Sequence, residues 1–374
     1  MGSHALLSPS SAARWTSCPP SARLCEHIEE GPSLFAQEGT EAHELCEYKV
    51  KKALGIDAVD PRPTLGFYNE QMEDCADEYA AFVMESLQQE KDAGRDPIIL
   101  LEQKVDINSY VSECSGTADC IIVSDRHLHV IDFKYGQGVP VSAERNTQMM
   151  LYALGAIGMF ASLYEMEQVS MTVFQPRLAN VGTFTMAASE LLDWADSYLR
   201  PRADLAFRGE GEFCSGPHCR FCKVKATCRK RAEANLDLAR YEFAKPVLLG
   251  DHEIAEILTQ ADELASWVSD IRGYAFSLLE RGGTLEGFKL VEGRSIRRYA
   301  DEAAAADAVR SAGFDPYEHK VLGITAMTNL LGRTRFNEIL GPHVCKPKGK
   351  PTLVPEGDKR QAITINDFKD IEEK

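Results

Sequence analysis

GTADCIIVSDRHLHVIDFKYG, residues 116–136, contains two short β-rich runs, 116–124 and 127–136, parted by Asp125-Arg126. A two-residue break between apolar runs reads as a tight hairpin turn. Each run carries one carboxylate among apolar neighbours, Asp119 in TADCIIV and Asp132 in HVIDFKYG. Burying an ionised group without a partner costs several kcal/mol, so each aspartate requires a cation or strong donors close by. Lys134 follows Asp132 by two residues, and the strand period of two puts both side chains on one face. Taken alone, such a D-x-K pair is a same-face salt bridge. Its surroundings supply more chemistry than a salt bridge needs.

Upstream, PIILLEQKVDI (97–107) reads as another strand and brings Glu102 as a further carboxylate. Before it, residues 38–54 predict a helix opened by Gly39-Thr40, with Ala42, Leu45, Cys46 and Val50 on one side and His43 beside them. A second helix is expected over about 69–92. Downstream, Met149, Met150, Tyr152, Ala153, Leu154, Ala156 and Ile157 fall at helical spacing within 144–161, and Gln148 and Tyr152, four apart, share one helix face. VSMTVFQP (169–176) predicts a strand, and 189–206 a helix. Three successive strands, a helix and a fourth strand imply an α/β fold with a mixed central sheet flanked by helices.

Carboxylates gathered this way suit a hard divalent cation, Mg²⁺ or Mn²⁺, held by oxygen ligands with open positions. Such an ion supplies what phosphodiester hydrolysis demands: an activated water, charge stabilisation at phosphorus and neutralisation of the leaving alkoxide. Asp132 offers a metal-binding carboxylate beside the Lys134 ammonium, with the main-chain carbonyl of Phe133 between them as another ligand.

The order G-T-x-x-H (39–43), G-T-A-D (116–119), I-D-F-K-Y-G (131–136) and Q-x-x-x-Y (148–152) resembles the RecB-like branch of the PD-(D/E)XK nucleases, a group that also includes the iron-sulfur exonucleases of CRISPR adaptation. That resemblance covers about residues 8–232. It implies a PD-(D/E)XK core and makes His43 a metal ligand, Asp119 and Asp132 the main carboxylate ligands and Lys134 the catalytic lysine. Gln148 and Tyr152 would line the active site and contact DNA. More narrowly, LLSPSSAARW (6–15), residues 129–156 and KPKGKPTLVPEGDKR (346–360) resemble a group of phage and prophage proteins.

Eleven cysteines in a chain with no secretory start are a poor match for a disulfide framework, which directs attention to metal ligation. Cys219, Cys222 and Cys228 form C-x2-C-x5-C in HCRFCKVKATC, and Cys214 extends this to C-x4-C-x2-C-x5-C, a spacing that fits a ferredoxin-type or zinc site. The RecB-like pattern instead joins three C-terminal cysteines to a distant N-terminal one. By that resemblance Cys18, in RWTSCPPSARL, completes a [4Fe-4S] cluster with Cys219, Cys222 and Cys228, Cys25 being a weaker substitute and Zn²⁺ the alternative group. Its role would be a staple closing the core. Cys25, Cys46, Cys75, Cys114, Cys120 and Cys345 otherwise read as small buried hydrophobes.

A formal net charge of −16 excludes a protein that coats nucleic acid through overall charge, so DNA contacts must be local. The basic run 220–231 is the candidate, with Arg220, Lys223, Lys225, Arg229 and Lys230 as DNA-binding residues and Arg231 closing it. Beyond it, Ile254, Ile257, Leu258, Leu264, Trp267, Val268, Ile271, Tyr274, Leu278 and Leu279 predict one long amphipathic helix ended by Gly282-Gly283. GFKLVEGRSIRRY (287–299) suggests a hairpin, with short helices following. The expected division is a nuclease domain over 5–240, a smaller, mainly helical α+β module over 245–345, and a Pro/Gly/Lys-rich extended tail over 346–374. No apolar run is long enough to span a bilayer, and the start lacks a secretory signal, so a cytoplasmic protein is expected.

The functional expectation is a metal-dependent deoxyribonuclease, an exonuclease by preference, acting in phage or bacterial recombination, replication or repair, with DNA and phage replication or recombination proteins as partners. Two rivals of other classes are a non-catalytic DNA-end or partner-binding module that keeps the fold, and a zinc-stapled interaction protein.

Overall fold

A computed structural model describes residues 5–28, 31, 33–239, 251–292, 299–317 and 321–345. Two compact units divide the chain: Met1–Ile254 with Gln260–Ala275, and Ala255–Thr259 with Phe276–Lys374. The boundary expected at 240–245 lies outside the described residues.

The first unit opens with two short helices, α1 (Ala12–Ser17) and α2 (Ser21–Leu24), followed by α3 (Leu34–Ala53) and α4 (Glu70–Asp92). The sheet comprises β1 (Ile98–Asp106), β2 (Ser115–Ser124), β3 (His127–Phe133), β4 (Gln168–Gln175) and β5 (Asn180–Ala187), in that spatial order. Helix α5 (Thr147–Phe160) links β3 to β4, the one parallel pair, while the other neighbours run antiparallel. The molecule thus has a mixed α/β architecture around a five-stranded mixed sheet.

Local chemistry sets the boundaries. Ser33 caps α3 by accepting from the Ala36 amide at 3.1 Å. That start lies several residues before the predicted one, so Gly39 and Thr40 sit inside the helix, with the Thr40 hydroxyl donating back to the Ala36 carbonyl. Asn69 caps α4 and Asn146 caps α5 through side-chain oxygens. At the β2–β3 hairpin, Arg126 takes the left-handed conformation, φ 64°.

The sheet is covered on both faces. Under α5 lies a cluster that includes Val105, Ala118, Ile121, Val130, Met149 and Val173. Under α3 and α4 lies a second, with Leu45, Val50, Tyr79, Val83, Ile131 and Phe133. Strand β5 has no counterpart in the sequence reading; its half-buried Asn180, Gly182 and Phe184 and buried Met186 alternate with exposed Val181, Thr183, Thr185 and Ala187. The helix expected over 189–206 is interrupted: α6 (Ala188–Trp194) and α7 (Arg200–Arg208) are joined by a π-turn, Ala195–Leu199. Pro201, in the first turn of α7, cannot donate to a preceding carbonyl, and the widened turn accommodates that loss.

Next come α8 (Arg229–Ala239) and α9 (Asp251–Glu280), the latter followed by Gly282 at φ 83°. In the second unit, α10 (Glu302–Ser311) is capped by Asp301, and α11 (Ile324–Leu331) and α12 (Arg333–Leu340) follow. Of the hairpin expected over 287–299, residues 293–298 lie outside the described residues, and the described part holds a single bridge, Leu285↔Phe288. The tail 346–374 lies outside them as well. Among the described residues no helix is long and apolar enough to cross a membrane.

Candidate active site

Three carboxylates occupy one row across β1, β2 and β3. The β2–β3 ladder runs from Ser124↔His127 to Cys120↔Ile131 and stops; one step further would set Asp119 against Asp132. Asp119 Oδ2 instead accepts the Phe133 backbone N–H at 2.7 Å, so a side chain replaces the ladder bond where the strands part. The β1–β2 ladder passes from Leu101↔Cys120 to Gln103↔Ala118, omitting Glu102 and Asp119. Neighbouring strands lie about 4.8 Å apart, which brings such a row within reach of one ion.

A backbone kink accompanies the row. Ile99, Leu101, Cys120 and Ile122 pack towards α3 and α4, whereas Val105 and Ala118 pack towards α5. Strict alternation would keep Leu101 and Val105 on one face. Both strands therefore change face between those positions, at Glu102, whose φ of 47° is unusual for a non-glycine residue. Strain of this kind concentrates at sites where the surrounding structure holds a side chain in a required direction. Here it aims Glu102 at Asp119.

Helix α3 contributes His43. Its Nδ1 is 3.4 Å from Asp119 Oδ1, and its ring meets Phe133 edge-on at 5.4 Å. Ligand atoms of His43, Glu102 and Asp119 all lie within 4.8 Å of one another. Burial together with the Asp119 charge raises the Glu102 carboxyl to about 7. Burial opposes the charged form of His43, but Asp119 outweighs it and raises that group too.

Asp132, 2% exposed, projects from β3 towards α5. The Lys134 ammonium is 3.0 Å from its Oδ2 and pairs with it. Burial raises the Asp132 carboxyl despite Lys134, and Asp119 adds to the rise. From α5, the Gln148 amide nitrogen donates to Asp132 Oδ1 at 3.4 Å and to Tyr152 Oη at 3.1 Å, and its oxygen accepts from Lys134 Nζ at 3.2 Å. Burial pushes the Tyr152 phenol up to about 12.

These residues fit a hard divalent cation. Carboxylates crowd together, and two of them are forced towards protonation. An ion held by His43, Glu102 and Asp119, with Asp132 beside them, would relieve both conditions. The fold gathers the first three within reach of one ion and sets Asp132, Lys134, Gln148 and Tyr152 in one network next to them. Phe133 enters through its N–H, which Asp119 engages.

A second cluster gathers the thiols. Cys18, Cys214, Cys219, Cys222 and Cys228 line one cavity of about 20 Å³, together with Arg14, Lys225 and Arg231. Cys18 and Cys219 hydrogen-bond His218 and raise its imidazole to about 10. Cys25 Sγ lies 3.8 Å from Cys222 Sγ. Cys25, the substitute for Cys18 in the sequence reading, is thus buried beside the thiol group, because α2 folds Cys18 and Cys25 towards the same loop. Cys345, also expected to be buried, is exposed, while Cys46, Cys75, Cys114 and Cys120 are buried. A soft donor set flanked by cations fits a thiolate-ligated metal group.

The basic run is only partly available to DNA. Arg220, Arg229 and Lys230 are exposed, but the Lys223 ammonium donates to the Ile28 carbonyl at 2.5 Å. Lys225 pairs with Asp270 at 2.9 Å, and Arg231, fully buried, is held by Glu263 and Asp270 of α9. Acids some 40 positions away neutralise cations that look unopposed locally, and their pull draws Gln260–Ala275 onto the first unit.

A family model described as "Protein of unknown function (DUF2800)" matches residues 4–361, and the chain belongs to that family. Among solved structures, one titled "Crystal structure of SSO0001" is similar at 13% identity, over 52% of this chain and 98% of that chain, with a TM-score of 0.22. A likeness that loose carries no argument.

Proposed function

We propose that this member of the DUF2800 family is a divalent-metal-dependent deoxyribonuclease of the RecB-like PD-(D/E)XK kind, acting on DNA ends in phage or bacterial recombination, replication or repair. The observation that carries the reading is the row of Glu102, Asp119 and Asp132 across three adjacent strands, with His43 against one end and Lys134 against the other.

His43, Glu102, Asp119 and Asp132 would hold Mg²⁺ or Mn²⁺, which supplies Lewis-acid activation of water and stabilises charge at phosphorus. Lys134 presents an ammonium beside Asp132, placed to orient the attacking water and to stabilise negative charge developing on the phosphate. Gln148 fixes that ammonium and Asp132 relative to each other, and its amide positions the Tyr152 hydroxyl along the wall of the site. A kinked strand and a buried helix face hold the groups, which gives the preorganisation such a site needs.

A digestion time course on end-labelled single-stranded, duplex and covalently closed circular DNA tests this, with Mg²⁺ or Mn²⁺. The linear substrates should shorten from their ends, and Asp119→Ala and Lys134→Ala should abolish cleavage with circular dichroism unchanged. Undiminished cutting by either variant would refute the assignment. Tight DNA binding without turnover in every metal would favour a non-catalytic end-binding module.

The thiol cavity would hold a structural metal group tying Cys18 and Cys25 to the 214–228 loop. A [4Fe-4S] cluster follows from the family resemblance, and zinc is the alternative that the same thiols would hold. Anaerobically purified protein that is brown and absorbs near 400 nm (roughly, for thiolate-to-iron charge transfer) decides for iron-sulfur, and colourless protein with stoichiometric zinc decides against it.

A further inference from the structure

We propose that the groove beside Tyr152, walled by the turn at Ser8–Ser11, binds one backbone phosphate of the nucleic-acid strand flanking the bond to be cut; the proposal rests on the nuclease reading of the adjacent site. The groove encloses about 590 Å³, and Ser8, Ser10, Lys104, Ser115, Thr117 and Tyr152 line it. Hydroxyls and a single ammonium are the donors that grip phosphate oxygens without reading a base. Lys104 and Thr117 are direct partners in the β1–β2 ladder, and both are exposed. Lys104 forms no ion pair among the described residues. Ser8 Oγ lies 3.0 Å from Ser11 Oγ and 3.3 Å from Ser10 Oγ, and Ser11 Oγ donates to the Ser8 carbonyl at 3.1 Å. With Ser11 engaged, Ser8 and Ser10 can turn their protons to a ligand oxygen.

The groove is joined to the carboxylate row by a rigid wall. Tyr152 lines it with its ring and reaches Gln148 with its hydroxyl. A Cβ on Gly116 would come within 2.8 Å of both Pro9 Cγ and Tyr152 Cε1, so only glycine lets the turn, the strand and the ring meet. Trp15, fully buried, holds the turn by donating from Nε1 to the Ser8 carbonyl at 3.1 Å. Glu113 also lines the groove, and with Lys104 as its one ammonium the lining has charge for a single phosphate.

Fluorescence anisotropy with labelled oligonucleotides tests the groove, Ca²⁺ replacing Mg²⁺ so that binding is read without turnover, alongside KM and kcat with Mg²⁺. Lys104→Ala should weaken binding about tenfold and lower the slope of log K against log salt by about 1. Ser10→Glu should weaken it at least as much by placing an acid against the phosphate. For both, KM should rise with kcat retained, while Lys91→Ala on exposed α4 matches wild type. Affinity, salt slope and KM unchanged in both groove variants, with cleavage still lost in Asp119→Ala, would overturn the groove and leave the nuclease reading standing. Lys104-dependent binding by a protein that cuts nothing would support the groove and sink the nuclease reading. A protein that neither binds nor cuts DNA sinks both.

Discussion

Two buried acid clusters stand on the same sheet, and they are built in opposite ways. Around Glu90, 5% exposed on α4, every charge is answered by the protein itself. Arg95 forks onto both carboxylate oxygens at 2.6 and 2.9 Å, the Ser124 hydroxyl donates to one of them, and His127 Nδ1 lies 2.9 Å from the other. Burial alone would raise this carboxyl, but those partners outweigh it and bring Glu90 down to about 2. In the row of Glu102, Asp119 and Asp132 the balance is reversed: three carboxylates stand close together, and burial with the Asp119 charge raises Glu102 to about 7 and raises Asp132 as well. A cluster complete in itself serves stability, whereas one left short of positive charge is shaped for a cation that comes from outside.

The largest expected effect breaks the second cluster and spares the first. Asp119→Ala should cost on the order of a thousandfold or more in cleavage rate, with the metal-free melting temperature lowered modestly, since the Phe133 N–H and His43 lose their acceptor while the repulsion on Glu102 is relieved. Next, Glu90→Gln should do the converse. It should lower stability in urea unfolding by about 3 kcal/mol near neutral pH, while kcat measured well below the melting transition stays at the wild-type value.

The Glu90 contribution has a definite pH signature. Its folded-state pKa, about 2, lies below the unfolded value of 4.5, so the stabilisation is complete above pH 4.5 and lost as pH falls towards 2. Wild type and Glu90→Gln should therefore converge in stability across that window, and a difference that persists at its acid end would contradict the assignment.

A smaller effect comes from the ion. Mn²⁺ at about 100 times its dissociation constant should stabilise wild type by about 2.7 kcal/mol, stabilise Glu90→Gln equally, and leave Asp119→Ala where it was. The smallest belongs to Glu102→Gln. Stability without metal should hardly move, because the group is already pressed towards its neutral form, whereas Mn²⁺ affinity should fall by about tenfold, close to 1.4 kcal/mol.

The sequence made some of this legible and concealed the rest for identifiable reasons. Asp119 and Asp132 interrupt apolar runs, and a carboxylate in such a run announces itself; Lys134 follows from the strand period. Gln148 and Tyr152, one helix turn apart, fall into place beside them. The aim of Glu102 was not legible, since it depends on a left-handed backbone at a residue that seldom adopts one. Strand β5 alternates in burial, but its inward positions, Asn180, Gly182, Phe184 and Met186, are chemically mixed, so apolar side chains mark the period weakly. Cys25 ranked behind Cys18 as a ligand because nothing local shows that it lies against Cys222, nearly 200 positions away. Lys225 and Arg231 looked available for DNA until α9 supplied Asp270 and Glu263. What alternates within one element could be read directly; what depends on a kink or on a distant charge could not.

Electron paramagnetic resonance titration of metal-free protein with Mn²⁺ tests the central claim most directly, counting ions bound at the carboxylate row. Wild type and Glu90→Gln should each bind Mn²⁺ tightly and quench its free signal, and Asp119→Ala should leave that signal unquenched. Equal quenching by Asp119→Ala, or none by wild type, would contradict a cation site built from these three strands.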